Sequence, residues 1–403
     1  MALGNTTTSY GVVTKTFHWL TAIGIFLVLP LGYFANDLAH AIENPEIATT
    51  DAQVARAALL FSLHKTIGLT VFFVALARIL WALTQTKPGL LNGDTVLESR
   101  LAEVVHWLLY GSLVAVPLSG WVHHASTTGF APIWWPFGQS LPFVPKDEGV
   151  AQITATLHFL LQWVLVGALV LHIMGALKHH VIDRDATLRR MLPGDTPAQP
   201  TAKQPGHGVP LLGALAVWAV VLGGANGLGW FKPDAAAQAP AQSLASVESD
   251  WTVQDGALNI TVIQMGSEVT GSFADWTADI SYETATENPK GEVTVTVSIP
   301  SLTLGSVTDQ AMGAEYFNAE DHPTATFSAQ IVEEDGHIAQ GTLTIKDQST
   351  PVDMPFELTI DGNTAQASGG LTVDRRAFNI GGEATDSLGA SVDIRFELTA
   401  TRD

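Results

Sequence analysis

The chain has 403 residues, 47% hydrophobic and 14% charged, with a formal net charge of −20 and no cysteine. Without cysteine there can be no disulfide, no thiolate-held iron-sulfur cluster or zinc, and no covalent c-type haem, which needs C-x-x-C-H; both reducing and oxidising compartments tolerate the lack. The charge is uneven, near +1 over residues 1–232 and −21 over 233–403, and so acidic a C-terminal part argues against a nucleic-acid partner.

Five apolar stretches, roughly 16–35, 59–83, 101–123, 154–180 and 209–230, are long enough to cross a bilayer core of about 30 Å. The first has neither a basic leader nor a small-residue cleavage site and is read as a retained helix. Lys15, Lys87, Arg100, Lys178, Arg184, Arg189, Arg190 and Lys203 flank one side, against Arg56, Lys65, Lys146 and Lys232 on the other. The positive-inside rule therefore predicts a cytoplasmic N-terminus, and an odd fifth helix delivers the acidic part to the periplasm of a bacterial inner membrane.

The fourth stretch carries His158 and His172. Fourteen positions apart, they lie about 21 Å from each other along a helix and on similar faces, so one helix offers imidazoles at two depths. His18 falls at the inner level with His172, and His64 at the outer level with His158. Each pair can supply both axial ligands of one non-covalent b-type haem, and the low-spin iron that results suits electron transfer. Arg78, fourteen positions past His64, reaches the inner level; a haem propionate is a natural partner, and snorkelling to the interface is the alternative. His106 could ligate in place of His18, hydrogen-bond a propionate, bind quinone, or sit at the interface. The His123-His124 and His179-His180 pairs read as interfacial. His40, His207, His322 and His337 read as solvated loop or surface residues.

After the fourth stretch, DTPAQPTAKQPGHG is a Pro-rich linker. The fifth, GALAVWAVVLGGANGLG, has small residues suited to anchoring or close helix packing and leaves oligomerisation open. KPDAAAQAPAQSLAS behind it has the look of a signal-peptidase region; we read it as a tether rather than a cleavage site. From about residue 247 the period changes to two: Val293, Val295, Val297 and Ile299 share a face, as do Val392, Ile394, Phe396, Leu398 and Ala400. Such strands with Gly, Asp and Asn turns predict an all-β antiparallel barrel or sandwich, its interior either packed solid or enclosing one apolar ligand. The chain is therefore partitioned as 1–193, a transmembrane bundle; 194–208, linker; 209–231, fifth helix; 232–246, linker; and 247–403, barrel.

TKTFHWLTA, SLHKTIGLTVFFVALARILW, LAEVVHWLLY, PLSGW, APIWWPFGQSLPF and TLHFLLQWVLVGALVLHIMGALKHHVIDRDATLRRMLPG resemble the bacterial cytochrome b-561 family over residues 8–192. The resemblance implies an all-α four-helix di-haem bundle with His18, His64, His158 and His172 as haem-iron ligands. It also implies electron transfer between a ubiquinone-type pool and an outer donor or acceptor, superoxide for some relatives. Helix five lies outside that pattern. Trp134 and Trp135 would form a quinone or substrate pocket over the outer haem, or simply anchor at the interface, and Lys65 could attract an anion or propionate.

GSFADWTADISYE, EYFNAEDHPTATFSA, GTLTIKDQSTPVDMPFELTI, LTVDRRAFNIGG and VDIRFELTATR resemble the YceI-like lipocalin-like barrels over residues 250–402. That resemblance implies a tunnel for a polyisoprenoid lipid or prenylquinone, with Phe273, Trp276, Phe317, Phe327, Phe356 and Phe378 as candidate lining. The first strand, DWTVQDGALNITV, lacks the histidine-serine element common in that family. Two functions compete: a quinone-linked oxidoreductase with a lipid-binding accessory domain, and an isoprenoid carrier or sensor that uses its cytochrome part mainly as an anchor.

Overall fold

The computed structural model describes residues 2–43, 50–127, 131–202, 206–232, 244–245, 247, 249–264, 267–283, 291–333, 336–383, 385 and 388–402. Lys203 and most of the 232–246 tether lie outside the described residues. The chain divides into two compact units. One holds residues 1–33, 61–126 and 133–234; the other holds 34–60, 127–132 and 235–403.

Among the described residues, five helices have the length and apolarity of membrane spans: α1 Val12–Glu43, α2 Asp51–Leu83, α3 Val96–Ser126, α4 Glu148–Val181 and α5 Gly208–Gly227. The first four outrun the apolar stretches that mark them. Hydropathy finds the part that needs lipid, whereas a helical backbone continues wherever flanking residues favour it. Residues 36–43, NDLAHAIE, do so for α1, which places His40 in its last turn rather than in a loop. α4 starts where the Asp147 carboxylate caps the Val150 N–H at 2.8 Å, a polar stop signal just before the hydrophobic run.

Ile25, Val71, Ala75 and Leu113 form one buried cluster joining α1, α2 and α3; Leu108, Leu109, Val116, Leu161, Leu165, Ala168 and Ala214 form another joining α3, α4 and α5. α5 fits closely because Gly111 on α3 leaves room for the Trp218 ring. His207 stands just before α5 as its N-cap and is exposed, as expected, with its Nδ1 2.6 Å from Glu103 of α3. Past α4 the chain folds back, where Lys15 Nζ donates to the Leu192 and Gly194 carbonyls at 3.0 and 2.7 Å and Trp19 Nε1 to Met191 at 2.8 Å.

Among the described residues, the C-terminal part of the second unit forms one ten-stranded antiparallel sheet. Its strands are β1 Thr252–Gln264, β2 Ser267–Phe273, β3 Trp276–Tyr282, β4 Gly291–Ser298, β5 Leu302–Thr303, β6 Thr324–Glu333, β7 His337–Ile345, β8 Gln348–Asp361, β9 Thr364–Asp374 and β10 Leu388–Thr401, in spatial order β3-β4-β6-β7-β8-β9-β10-β1-β2-β5. The sheet curls until the segment before β1 meets β3. There the Trp251 N–H donates to the Ile280 carbonyl at 3.2 Å, and the Ile280 N–H donates to Ser249 Oγ at 2.8 Å. Alternation does the rest, turning the apolar face inward on every strand.

Candidate functional site

In the helical unit the two histidine pairs come together at matching distances. The rings of His18 (α1) and His172 (α4) have centroids 6.1 Å apart, and those of His64 (α2) and His158 (α4) are also 6.1 Å apart. The His64 Nδ1–H donates to the Val28 carbonyl of α1 at 2.9 Å, and the His158 Nδ1–H to the Val116 carbonyl of α3 at 2.8 Å. An imidazole whose Nδ1 carries the donated proton keeps its Nε2 lone pair for a metal.

Each ring reaches its carbonyl through a notch. A Cβ on Gly32 would lie 2.7 Å from His64 Nδ1, and one on Gly120 2.9 Å from His158 Nδ1. Both glycines sit four positions after the carbonyl in question, in VLPLG and VPLSG. Sequence reasoning did not single them out, although the shared Val-x-x-x-Gly spacing, with a proline inside the turn, was the available signal.

At the other level, His172 is flanked by His18 and, edge-on at 5.1 Å, by His106. Arg78 lies with Cζ 5.6 Å over the Tyr110 ring and with Nη2 3.5 Å from His18 Nδ1, the limit of a hydrogen bond. His106 is 6.4 Å from the same Tyr110 ring. Nearby, Arg190 is buried against the Tyr10 ring at 5.5 Å and donates to the Gly89 carbonyl at 3.1 Å. Burial holds the Tyr10 phenol above its ordinary pKa and the Arg190 guanidinium below its own, each only partly offset by the other's charge.

These residues fit b-type haem. Two imidazoles ligating one metal from opposite sides need facing nitrogens about 4 Å apart, at about 2.0 Å per bond, and ring centroids wider than that by roughly one ring. Both 6.1 Å pairs meet this, while the 5.1 Å approach of His106 to His172 is too close. The donor set, neutral imidazole with a carbonyl-fixed tautomer and a nearby guanidinium, is chemistry suited to a porphyrin carrying propionates.

Other candidates sort differently. Lys65 is buried, its Nζ 6.0 Å over the Phe61 ring. The Trp134 N–H donates to Thr66 Oγ1 at 3.1 Å, while the Trp135 side chain is 89% exposed. His123 Nδ1 pairs with the Ala151 carbonyl at 2.8 Å. Among the described residues, Glu98, His179 and Asp183 are grouped closely enough to hold a metal ion. Lys178 Nζ, 2.8 Å from both carboxylates, already supplies their cation, and His179 Nδ1 is taken by Asp185 at 2.6 Å.

The barrel encloses a cavity of about 250 Å³ with an almost wholly apolar wall. Phe273, Trp276, Phe317, Phe327, Phe356 and Phe378 all line it, as do the inward valines and isoleucines of the alternating strands. The interior is hollow, which periodicity alone could not decide.

Comparison with known proteins agrees with both halves. A family model for prokaryotic cytochrome b561 matches residues 9–194, and one for the YceI-like domain matches 249–400. Cytochrome b561 homolog 2 of Escherichia coli is 34% identical over 197 residues, 48% of this chain and 95% of that protein. A probable superoxide oxidase, CybB, of Yersinia pestis is 28% identical over 132 residues, 32% of this chain and 73% of its own length. Among solved structures, BcnA of Burkholderia cenocepacia is 29% identical and aligns with 36% of this chain and 96% of its own, with a TM-score of 0.34. Span-length helices and this kinship together make the chain a bacterial inner-membrane electron-transfer protein whose cofactor is haem b. By sequence and by architecture it belongs to the prokaryotic cytochrome b561 family, extended at its C-terminus by a YceI-like domain.

Proposed function

We propose that the helical unit is a di-haem quinone oxidoreductase, with His18 and His172 holding one haem and His64 and His158 the other. Haem bound there supplies reversible one-electron transfer at two depths of the membrane. The observation that carries the reading is the pair of equal 6.1 Å histidine spacings on one bundle. The chain's own residues do the positioning: the Val28 and Val116 carbonyls fix two ring tautomers, and helix packing fixes the levels. Arg78 and His106, both against Tyr110, form a polar wall beside the inner pair where a propionate or a quinone head group finds donors. Lys65 gives the outer level a cation, and Trp134 and Trp135 lie on a loop that meets α2 at Thr66, two residues past His64. By the basic-residue asymmetry the N-terminus is cytoplasmic and the barrel periplasmic. The outer reactant is then a periplasmic one-electron donor or acceptor, and the superoxide oxidase named above makes superoxide the first to try.

The barrel binds a prenyl lipid or quinone in this reading. Protein purified from membranes should carry two b haems per chain by haemochromogen assay and a prenyl lipid by mass spectrometry. His158→Ala and His172→Ala should each remove one haem; unaltered pigment in either would overturn the assignment. The hollow barrel also supports a second reading, a lipid carrier or sensor anchored by the cytochrome. Haem reduction by quinol, compared between the full chain and one lacking residues 240–403, separates the two. An equal rate removes any delivery role from the barrel.

A further inference from the structure

The polar atoms in the barrel wall say what kind of head group the cavity accepts. Among the described residues Arg375 is the sole charged side chain lining it, and Gln264, Gln310, Tyr282 and Tyr316 supply most of the remaining polarity. Arg375 is 1% exposed, and its guanidinium is committed to the main chain. Nε donates to the Gly389 carbonyl at 2.9 Å, Nη1 to those of Ile380, Gly381 and Gly382 at 2.6, 3.0 and 2.6 Å, and Nη2 to that of Leu388 at 2.8 Å. A phosphate could recruit this cation only by breaking the loop that it holds together. Gln310 Nε2 donates to the Tyr316 hydroxyl at 2.9 Å, so these two groups largely satisfy each other.

Gln264 is different. It closes β1, opposite Leu388 of β10 and Ser267 of β2, at the same rim of the barrel as the carbonyls that Arg375 holds. Its side chain is 6% exposed, lines the cavity, and leaves Oε1 buried with no hydrogen-bond partner among the described residues. A buried carbonyl oxygen without a donor is costly, and the cost disappears when a ligand supplies the missing donor. A carboxamide can accept from a hydroxyl through Oε1 and donate to a carbonyl through Nε2. It has no charge to offer a phosphate.

We propose that the cavity is selective for lipids with an uncharged oxygen head group, hydroxyl or carbonyl, seated on the Gln264 amide, and that it discriminates against prenyl phosphates. The proposal rests on the reading of the barrel as a prenyl-lipid binder and adds the head-group class and the residue that reads it. Prenyl alcohols and quinone rings share this chemistry.

The test uses delipidated full-length protein in nanodiscs. Binding of radiolabelled geranylgeraniol, geranylgeranyl diphosphate and the corresponding C20 hydrocarbon is measured side by side, with a short-chain ubiquinone as a fourth ligand. The alcohol and the quinone should each bind about tenfold more tightly than the hydrocarbon, and the diphosphate more weakly than either. Gln264→Leu should bring the alcohol and the quinone down to the hydrocarbon's affinity while leaving the hydrocarbon itself unchanged. Gln264→Met serves the same purpose if the leucine variant does not fold. A diphosphate that binds as well as the alcohol, or an alcohol affinity unmoved in the variant, overturns the head-group assignment and leaves lipid binding standing. If none of the four ligands binds, hydrocarbon included, the lipid-binding reading falls and takes this inference with it. Gain in only one of alcohol and quinone overturns the shared-chemistry claim.

Discussion

Filling either histidine notch by one methyl group should separate helix stability from haem binding. In Gly32→Ala the new Cβ would stand 2.6 Å from His64 Cε1 and 2.7 Å from Nδ1; in Gly120→Ala it would stand 2.9 Å from His158 Nδ1 and 3.0 Å from Cε1. Comfortable contact begins at about 3.5 Å, so the ring must retreat by roughly 0.5–1 Å. Retreat stretches the 2.9 or 2.8 Å bond to the main-chain carbonyl, a loss of about 1 kcal/mol. It also moves Nε2 beyond the roughly 0.5 Å tolerance of a preorganised ligand. Disturbing the partner that orients a metal-ligating histidine typically lowers affinity about 10–100-fold. Alanine nevertheless favours the helix by about 1 kcal/mol over glycine. The expected outcome is haem lost at the His64–His158 level with apoprotein thermal stability level or raised. Haemochromogen counts read the first and calorimetry the second. Gly167→Ala and Gly175→Ala, where nothing lies within 4 Å of the added methyl, should leave pigment intact. Two full haems with an unchanged low-spin resonance spectrum in both notch variants would refute the reasoning.

The neighbouring residues make further predictions. His106→Ala should keep both haems, since its ring stands too close to His172 to share a metal with it; loss of one would reassign the inner ligand. Arg375→Met should lower the barrel's denaturant midpoint by an amount equivalent to at least about 3 kcal/mol, because it strips several buried carbonyls of their donor at once. Hydrogen bonds from the Arg376 side chain, followed by that from its main-chain N–H, hold the Asp374 carboxyl down to about 2 from 3.8. A depressed carboxyl stabilises the fold above its unfolded value and loses that contribution as pH falls toward 2. Asp374→Asn should therefore flatten the thermal midpoint of the barrel between pH 4 and pH 2, and an unchanged pH slope would count against the pair.

Much of the architecture is legible in the sequence because each half has its own period. Apolar runs of twenty residues and strict alternation are hard to confuse, and the fourteen-residue interval between His158 and His172 is itself a helical period. Helix ends are less legible. α2 begins at Asp51, eight residues before the apolar run at 59, since the alanine-rich DAQVARAA favours helix while Asp51, Gln53 and Arg56 interrupt the hydropathy that would mark it. Gln264 went unremarked for a related reason: a glutamine among TVIQ gives no hint of facing inward until β1 has its register. The cavity also depends on side-chain volumes summed around a closed wall, which no single strand contains.

The notches show what the bundle gains from fixing a ligand through its main chain. A carbonyl oxygen has two lone pairs, so Val28 and Val116 can each accept an imidazole proton as well as a helical N–H. The tether therefore need not sacrifice a helix bond. No side chain at 28 or 116 takes part in it, so Val28→Ala or Val116→Ala should leave the histidine orientation alone and cost only the packing of the lost methyls, about 1–2 kcal/mol. Tolerance at the carbonyl position combined with intolerance four residues later is a pattern that ordinary helix packing does not produce. Under packing alone, trimming a valine side chain and adding a methyl to a neighbouring glycine would both disturb the pigment through the same displaced contacts. Measured haem content in the four variants distinguishes these cases, because only a main-chain tether lets the valine pair change freely while the glycine pair cannot.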